Sequence, residues 1–204
     1  MRALILVDIQ NDFMPFGALP VTDGDAVVAV ANDLAERFSL VIATQDWHPA
    51  DHGSFARMHP TLKPGDIVDL GGVEQVLWPD HCVQGTPGAS FHSALDIAAI
   101  DHVVRKGADP DVDSYSGFYD NDRRKDTGLG EYLMSRGVDE VVICGLATDY
   151  CVRYTVLDAV GLGFGVTVVE DACRAVDLEP GDGDRALLEM HAAGARVLES
   201  SELT

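Results

Sequence analysis

Three features of the sequence predict an α/β fold: a three-layer α/β/α arrangement with a mainly parallel, doubly wound sheet. Short apolar runs recur along the chain, they are continuous rather than alternating, and stretches of helical periodicity separate them. Strands buried on both faces read this way, and helices between them cover both faces of the sheet. The 204 residues are 47% hydrophobic, which suits a single domain, placed at 1–204, with a core of its own.

The elements follow in order. Residues 3–7 read as a buried strand, and 24–38 as a helix with Val27, Ala31, Leu34 and Phe38 on one face. A second strand lies at 40–43 and a third at 101–105, around Val103 and Val104. A helix at 127–136 is closed by Gly137, and a fourth strand follows at 140–144. The helix at 149–161 turns Val152, Val156, Ala159 and Val160 inward. A strand at 166–169, a helix at 183–193 and a short strand at 196–198 complete the pattern.

Composition excludes several function classes. Asp and Glu number 34 against 14 Lys and Arg, a net charge of −20. A basic face for phosphate is lacking, so neither nucleic acid nor an anionic membrane is expected as a partner. The opening apolar run stops at Asp8, too soon for a signal peptide, and no run reaches the ~20 residues of a membrane span. Cys82, Cys144, Cys151 and Cys173 form no CxxC pair and read as reduced thiols of a cytoplasmic protein. Whether the chain forms a homo-oligomer is left open.

One stretch breaks the rhythm. Residues 45–100 are rich in Pro, Gly, Trp and Asp, and hold five of the seven histidines. A long irregular insertion in a compact domain usually carries function, and this histidine content points to a metal-binding insertion. Asp46 and His48 point the same way on an extended chain. With His52 and His81 they make one carboxylate and three imidazoles, a set that suits one divalent ion: zinc first, iron or manganese as alternatives. His59 and His92 are weaker candidates.

In open α/β sheets, ligands bind beyond the carboxyl ends of the strands. Those ends deliver Asp8, Asp46 with His48, Lys106, and a turn containing Cys151. Cys151 lies near a predicted helix start, with Thr148 or Asp149 as N-cap, where a thiol ionises more readily. A free cysteine is equally at home as a small buried hydrophobe, and Cys144, inside a strand, reads that way. Asp8 ends an apolar strand and could serve as base for the thiol. Lys106 is one of only three lysines, and a cation beside Asp8 would keep that acid ionised.

At this point five separated motifs, in order, resemble the nicotinamidase group of the isochorismatase-like cysteine hydrolases. They are Asp8-Ile9-Gln10-Asn11-Asp12-Phe13; Asp46-Trp47-His48 with His52; the Trp78–Gly88 segment around His81; Arg105-Lys106-Gly107 with Asp113–Phe118; and Gly145–Val152. The resemblance implies the isochorismatase-like hydrolase fold and a catalytic triad of Cys151, Asp8 and Lys106. It implies hydrolysis of nicotinamide to nicotinate and ammonia through a cysteine thioester, in the salvage of NAD, with pyrazinamide as a further substrate. It implies an oxyanion hole from the backbone N–H groups of Ala147 and Cys151, with a cis peptide at Leu146–Ala147. Phe13, Leu19, Trp78 and Tyr115 would line the ring pocket, and the metal would hold the pyridine nitrogen. Two rival readings are a related amidohydrolase acting on another small amide, and a non-catalytic metal- or pyridine-binding protein. The intact set of Cys151, Asp8 and Lys106 argues against the second. The stretch 56–76 carries no motif.

Overall fold

The first apolar run of the sequence becomes the centre of the sheet. In the computed structural model, which describes residues 1–203, Arg2–Val7 forms β1, buried from Ala3 onward. Val41–Asp46 forms β2, Ile67–Leu70 β3, Val73–Val76 β4 and His102–Lys106 β5. Glu140–Leu146 forms β6, Gly165–Arg174 β7 and Arg196–Leu198 β8. Six of these make one all-parallel sheet in the order β5-β2-β1-β6-β7-β8. Ala26–Ala35 is helix α1, Leu129–Ser135 α2, Arg153–Gly161 α3 and Asp182–Ala192 α4.

This order creates a crevice. From β1 the chain moves one way across the sheet, to β2 and β5; from β6 it moves the other way, to β7 and β8. Right-handed crossovers in opposite directions put α1 and α3 on opposite faces. The reversal between β1 and β6 leaves no helix crossing over their carboxyl ends, which is where such folds bind ligands. Asp8 follows β1 directly, and the turn holding Cys151 follows β6.

The predicted elements are all present, with shifted ends. The first helix stops at Ala35; Arg37 and Phe38 then bond back three residues in a tightening turn, so Phe38 packs on the core from outside the helix. The strand predicted at 166–169 runs on to Arg174. Glu170 and Asp171 break its apolar pattern, but the chain stays extended beside Gly145 and Leu146 after a register shift. The helix predicted from 149 begins as a wide π-type turn, Thr148–Val152, before α3. The insertion at 45–100 is less irregular than its sequence suggests. It contains a β3–β4 hairpin whose two-residue turn, Gly71-Gly72, has φ of 65° and 93°, the left-handed geometry that matches strand twist and that glycine adopts freely. That Gly-Gly pair was the available signal. Among the described residues, no helix is long and apolar enough to cross a membrane.

Ile5 sits at the centre of this core, fully buried and paired with Ile42 and Ile143. Ile5→Ala should lower unfolding stability by about 2–5 kcal/mol, measured by denaturant titration.

Candidate active site

Lys106 ends β5 and sends its ammonium into the crevice, where the side chain is wholly buried. Its Nζ donates to Asp46 Oδ1 at 3.0 Å, to the Ser114 carbonyl at 2.8 Å and to Cys151 Sγ at 3.3 Å. Asp8 Oδ2 lies 2.9 Å away on the same nitrogen. Burial works against the ammonium charge, but Asp46 and Asp8 outweigh it and hold the lysine well above its ordinary pKa. Asp8 takes a positive φ of 49°, a conformation aspartate tolerates better than most residues, and this aims its buried carboxylate back over the sheet. Thr44 donates to Asp8 Oδ1 at 2.6 Å. Oδ2 is paired by charge with Lys106 yet has no donor aligned on it, so a lone pair remains for another proton. Burial raises the pKa of Asp8 against the pull of Lys106.

Cys151 is buried in the turn after β6. Neither residue expected to cap that turn does so. The position belongs to Ala147, and the Asp149 carboxylate instead accepts from the N–H groups of Val176 and Asp177, at 3.0 and 2.8 Å. The expected ease of ionisation is also absent. Burial pushes the thiol well above its ordinary value, Lys106 only partly offsets this, and Asp8 and Asp46 add to it. The Leu146–Ala147 peptide is cis. Cys82, Cys144 and Cys173 are free and buried.

The metal-type residues gather on the other side of Lys106. His48 donates Nδ1–H to the Gly107 carbonyl at 2.8 Å, and His81 donates likewise to Pro79 at 2.8 Å. Each Nε2 is thereby left facing Asp46 Oδ2, at 2.9 Å from His48 and 3.4 Å from His81. His52 sits behind His48 with ring centroids 4.3 Å apart; its Nδ1 meets the Ser54 hydroxyl at 2.7 Å, and its buried Nε2 has no hydrogen-bond partner. The four expected residues therefore fall into two overlapping groups, Asp46–His48–His81 and His48–His52–Asp113, joined by His48. Imidazoles oriented through Nδ1 by carbonyls are how proteins prepare metal ligands. Two carboxylates against one ammonium also leave an excess negative charge. Burial opposes protonation of His48, but Asp46 outweighs it and raises the pKa to about 9. This donor set fits a divalent metal ion. His59 bonds the Gly53 carbonyl instead, and His102 stacks on Tyr132.

Phe13, Leu19, Trp78 and Tyr115 line one pocket beside Cys151. Asp46, His81 and Ala147 also reach it. Sequence reasoning missed Asp113, Tyr150 and Val176 on its wall, and Thr44 and Gln10 behind Asp8 and Asp46. Asp113 and Tyr150 lie inside quoted motifs, which was the signal for them. Val176 carried none.

The profile described as the isochorismatase domain matches residues 2–202. The chain is 52% identical to the nicotinamidase of Escherichia coli (strain K12), over 96% of this chain and 93% of that one. The solved Acinetobacter baumanii nicotinamidase/pyrazinamidase superposes with a TM-score of 0.96 at 45% identity, covering 100% of this chain and 98% of that one. The pyrazinamidase of Pyrococcus horikoshii, solved in complex with zinc, gives 0.78 at 41% identity, covering 97% and 98%.

Gly107 is the residue on which the His48 orientation turns. A Cβ there would stand 2.5 Å from His48 Cε1, and its φ is +64°. Gly107→Ala should weaken metal affinity roughly 10–100-fold while the fold persists, read by metal analysis beside a thermal melt.

Proposed function

This chain belongs to the isochorismatase family, and from that premise we propose that it is a nicotinamidase, hydrolysing nicotinamide to nicotinate and ammonia, with pyrazinamide as a second substrate. The observation that carries this reading is the single ammonium of Lys106 in reach of Asp8, Asp46 and the Cys151 thiol. It joins a base, a nucleophile and a metal loop in one buried charge system. The high identity to nicotinamidases over nearly the full chain supports the substrate.

In this mechanism Asp8 Oδ2 takes the thiol proton of Cys151. The thiolate sulfur attacks the carboxamide carbon, and the carbonyl oxygen becomes an oxyanion held by the N–H groups of Ala147 and Cys151. Asp8 returns the proton to the amide nitrogen, the C–N bond breaks and ammonia leaves a thioester. Water then gives a proton to Asp8 as its oxygen attacks the thioester; the C–S bond breaks, the sulfur recovers that proton from Asp8, and nicotinic acid departs, releasing its carboxyl proton to solvent to become nicotinate. Lys106 keeps Asp8 ionised at the start and offsets negative charge as it develops. Phe13, Trp78, Leu19 and Tyr115 sandwich the ring. Asp46, His48 and His81 would hold the ion, with His52 behind His48; it would supply Lewis-acid attraction for the pyridine nitrogen. Zinc is the ion assigned, on the support of the zinc complex of the P. horikoshii relative.

Purified protein should release ammonia from nicotinamide. Cys151→Ala should abolish this with metal content and fold near normal, and Asp8→Asn should slow acylation by about 10²-fold or more. Wild-type-like turnover by Cys151→Ala would refute the thiol mechanism.

Removal of the metal separates grip from chemistry. Chelation should raise KM for nicotinamide, while Cys151 still reacts with a small alkylating agent at near the holoenzyme rate. Benzamide, which lacks the ring nitrogen, should be a poor ligand. Efficient benzamide turnover that survives alkylation of Cys151 would assign the chemistry to a metal-activated water instead.

A further inference from the structure

The β3–β4 hairpin inverts the usual burial pattern. Its apolar residues Ile67, Val73 and Val76 are exposed or half-exposed, and the one residue it buries is Gln75. A buried amide must be hydrogen-bonded or it destabilises the fold. Gln75 is bonded at both ends. Its Nε2 lies 2.8 Å from the Val76 carbonyl, 3.0 Å from Asp113 Oδ2 and 2.8 Å from the Tyr115 hydroxyl, while Oε1 accepts from Asn121 at 3.2 Å. Three acceptors around Nε2 settle the amide orientation, because the reverse would set the Gln75 carbonyl oxygen against the Asp113 carboxylate and the Val76 carbonyl.

The same hydroxyl receives a second hydrogen bond. Trp78 Nε1 donates to the Tyr115 oxygen at 3.1 Å. Both acceptor positions of the phenol are then taken, by Gln75 and by Trp78, and the two rings that wall the pocket are tied together at their polar edges. Asn121 completes the frame, accepting from the Tyr115 N–H at 3.0 Å while donating to Gln75. An amide from a hairpin outside the main sheet thus braces two pocket walls drawn from different loops.

We propose that Gln75 is a positioning residue for the substrate pocket, acting through the Tyr115 hydroxyl to hold Tyr115 and Trp78 at the spacing that grips a flat heteroaromatic amide. This rests on the nicotinamidase reading of the site. Gln75 touches neither Cys151 nor Asp8, so it governs ring binding and not bond-making.

The test compares wild type, Gln75→Met, Tyr115→Phe and the double variant in steady-state deamidation. Each single variant should raise KM for nicotinamide roughly 5–10-fold, the scale of one lost hydrogen bond, with kcat within about twofold. The double variant should add less than about twofold to the larger single effect. Cys151 alkylation should run at the wild-type rate in all four. Emission from Trp78, read in a Trp47→Phe background, should shift to the red in Gln75→Met, a readout independent of turnover. An unchanged KM, KM effects that multiply in the double variant, a parallel fall in kcat and alkylation, or an unmoved Trp78 emission would each overturn the inference. If Gln75→Met does not fold, Tyr115→Phe decides alone, and an unchanged KM there overturns it. An inactive wild type would count against the proposed function, whereas an active enzyme indifferent to Gln75 counts only against this assignment.

Discussion

A buried ammonium must be compensated on the spot, and the site is organised around that demand at Lys106. Removing one partner of a buried ion pair leaves a stranded charge and costs about 3–5 kcal/mol. Here the compensation comes from Asp8, which follows β1, and Asp46, which ends β2, and the thiol of Cys151 after β6 completes the shell. The strands that carry these residues are parallel neighbours, so their ends lie on one side of the sheet. Charge balance and sheet topology therefore support each other: the sheet brings the four groups together, and the ammonium holds them at hydrogen-bond distance.

The metal loop depends on the same lysine from the other direction. Asp46 is shared, with Oδ1 accepting from Lys106 and Oδ2 facing His48 and His81. Burial opposes its ionisation, but His48 and Lys106 keep it well below the ordinary carboxylate range. One carboxylate thus stands between the lysine and the histidines, while the carbonyls of Gly107 and Pro79 set the imidazole planes. Gly107 follows Lys106 directly, so the residue that balances charge and the one that aligns His48 are adjacent in the chain.

The pocket is assembled differently. Its rings come from loops, and loops need bracing before they can select a ligand by shape. The hairpin supplies this by turning a single polar residue inward. The stretch 56–76 reads as silent because its information is one glutamine whose meaning depends on partners at 78, 113, 115 and 121.

The sequence by itself determined the fold class and the placement of Asp8, Asp46, Lys106 and Cys151 at or just beyond strand ends. Continuous apolar runs are local, and so is a polar residue that ends one. Much of the pocket was legible too, because Phe13, Trp78 and Tyr115 sit within distinctive motifs. Tertiary structure alone decided the strand order that places β1 beside β6, the convergence on Lys106 Nζ, the burial of the Cys151 thiol, the division of the histidines around His48 and the hydrogen bonds of Gln75. Each of these depends on contacts between residues far apart in the chain, or on burial that no single segment encodes. Helix caps failed for a related reason. Asp149 has a better use than capping its own turn, since the N–H groups of Val176 and Asp177, brought to it by β7, compete for the same carboxylate.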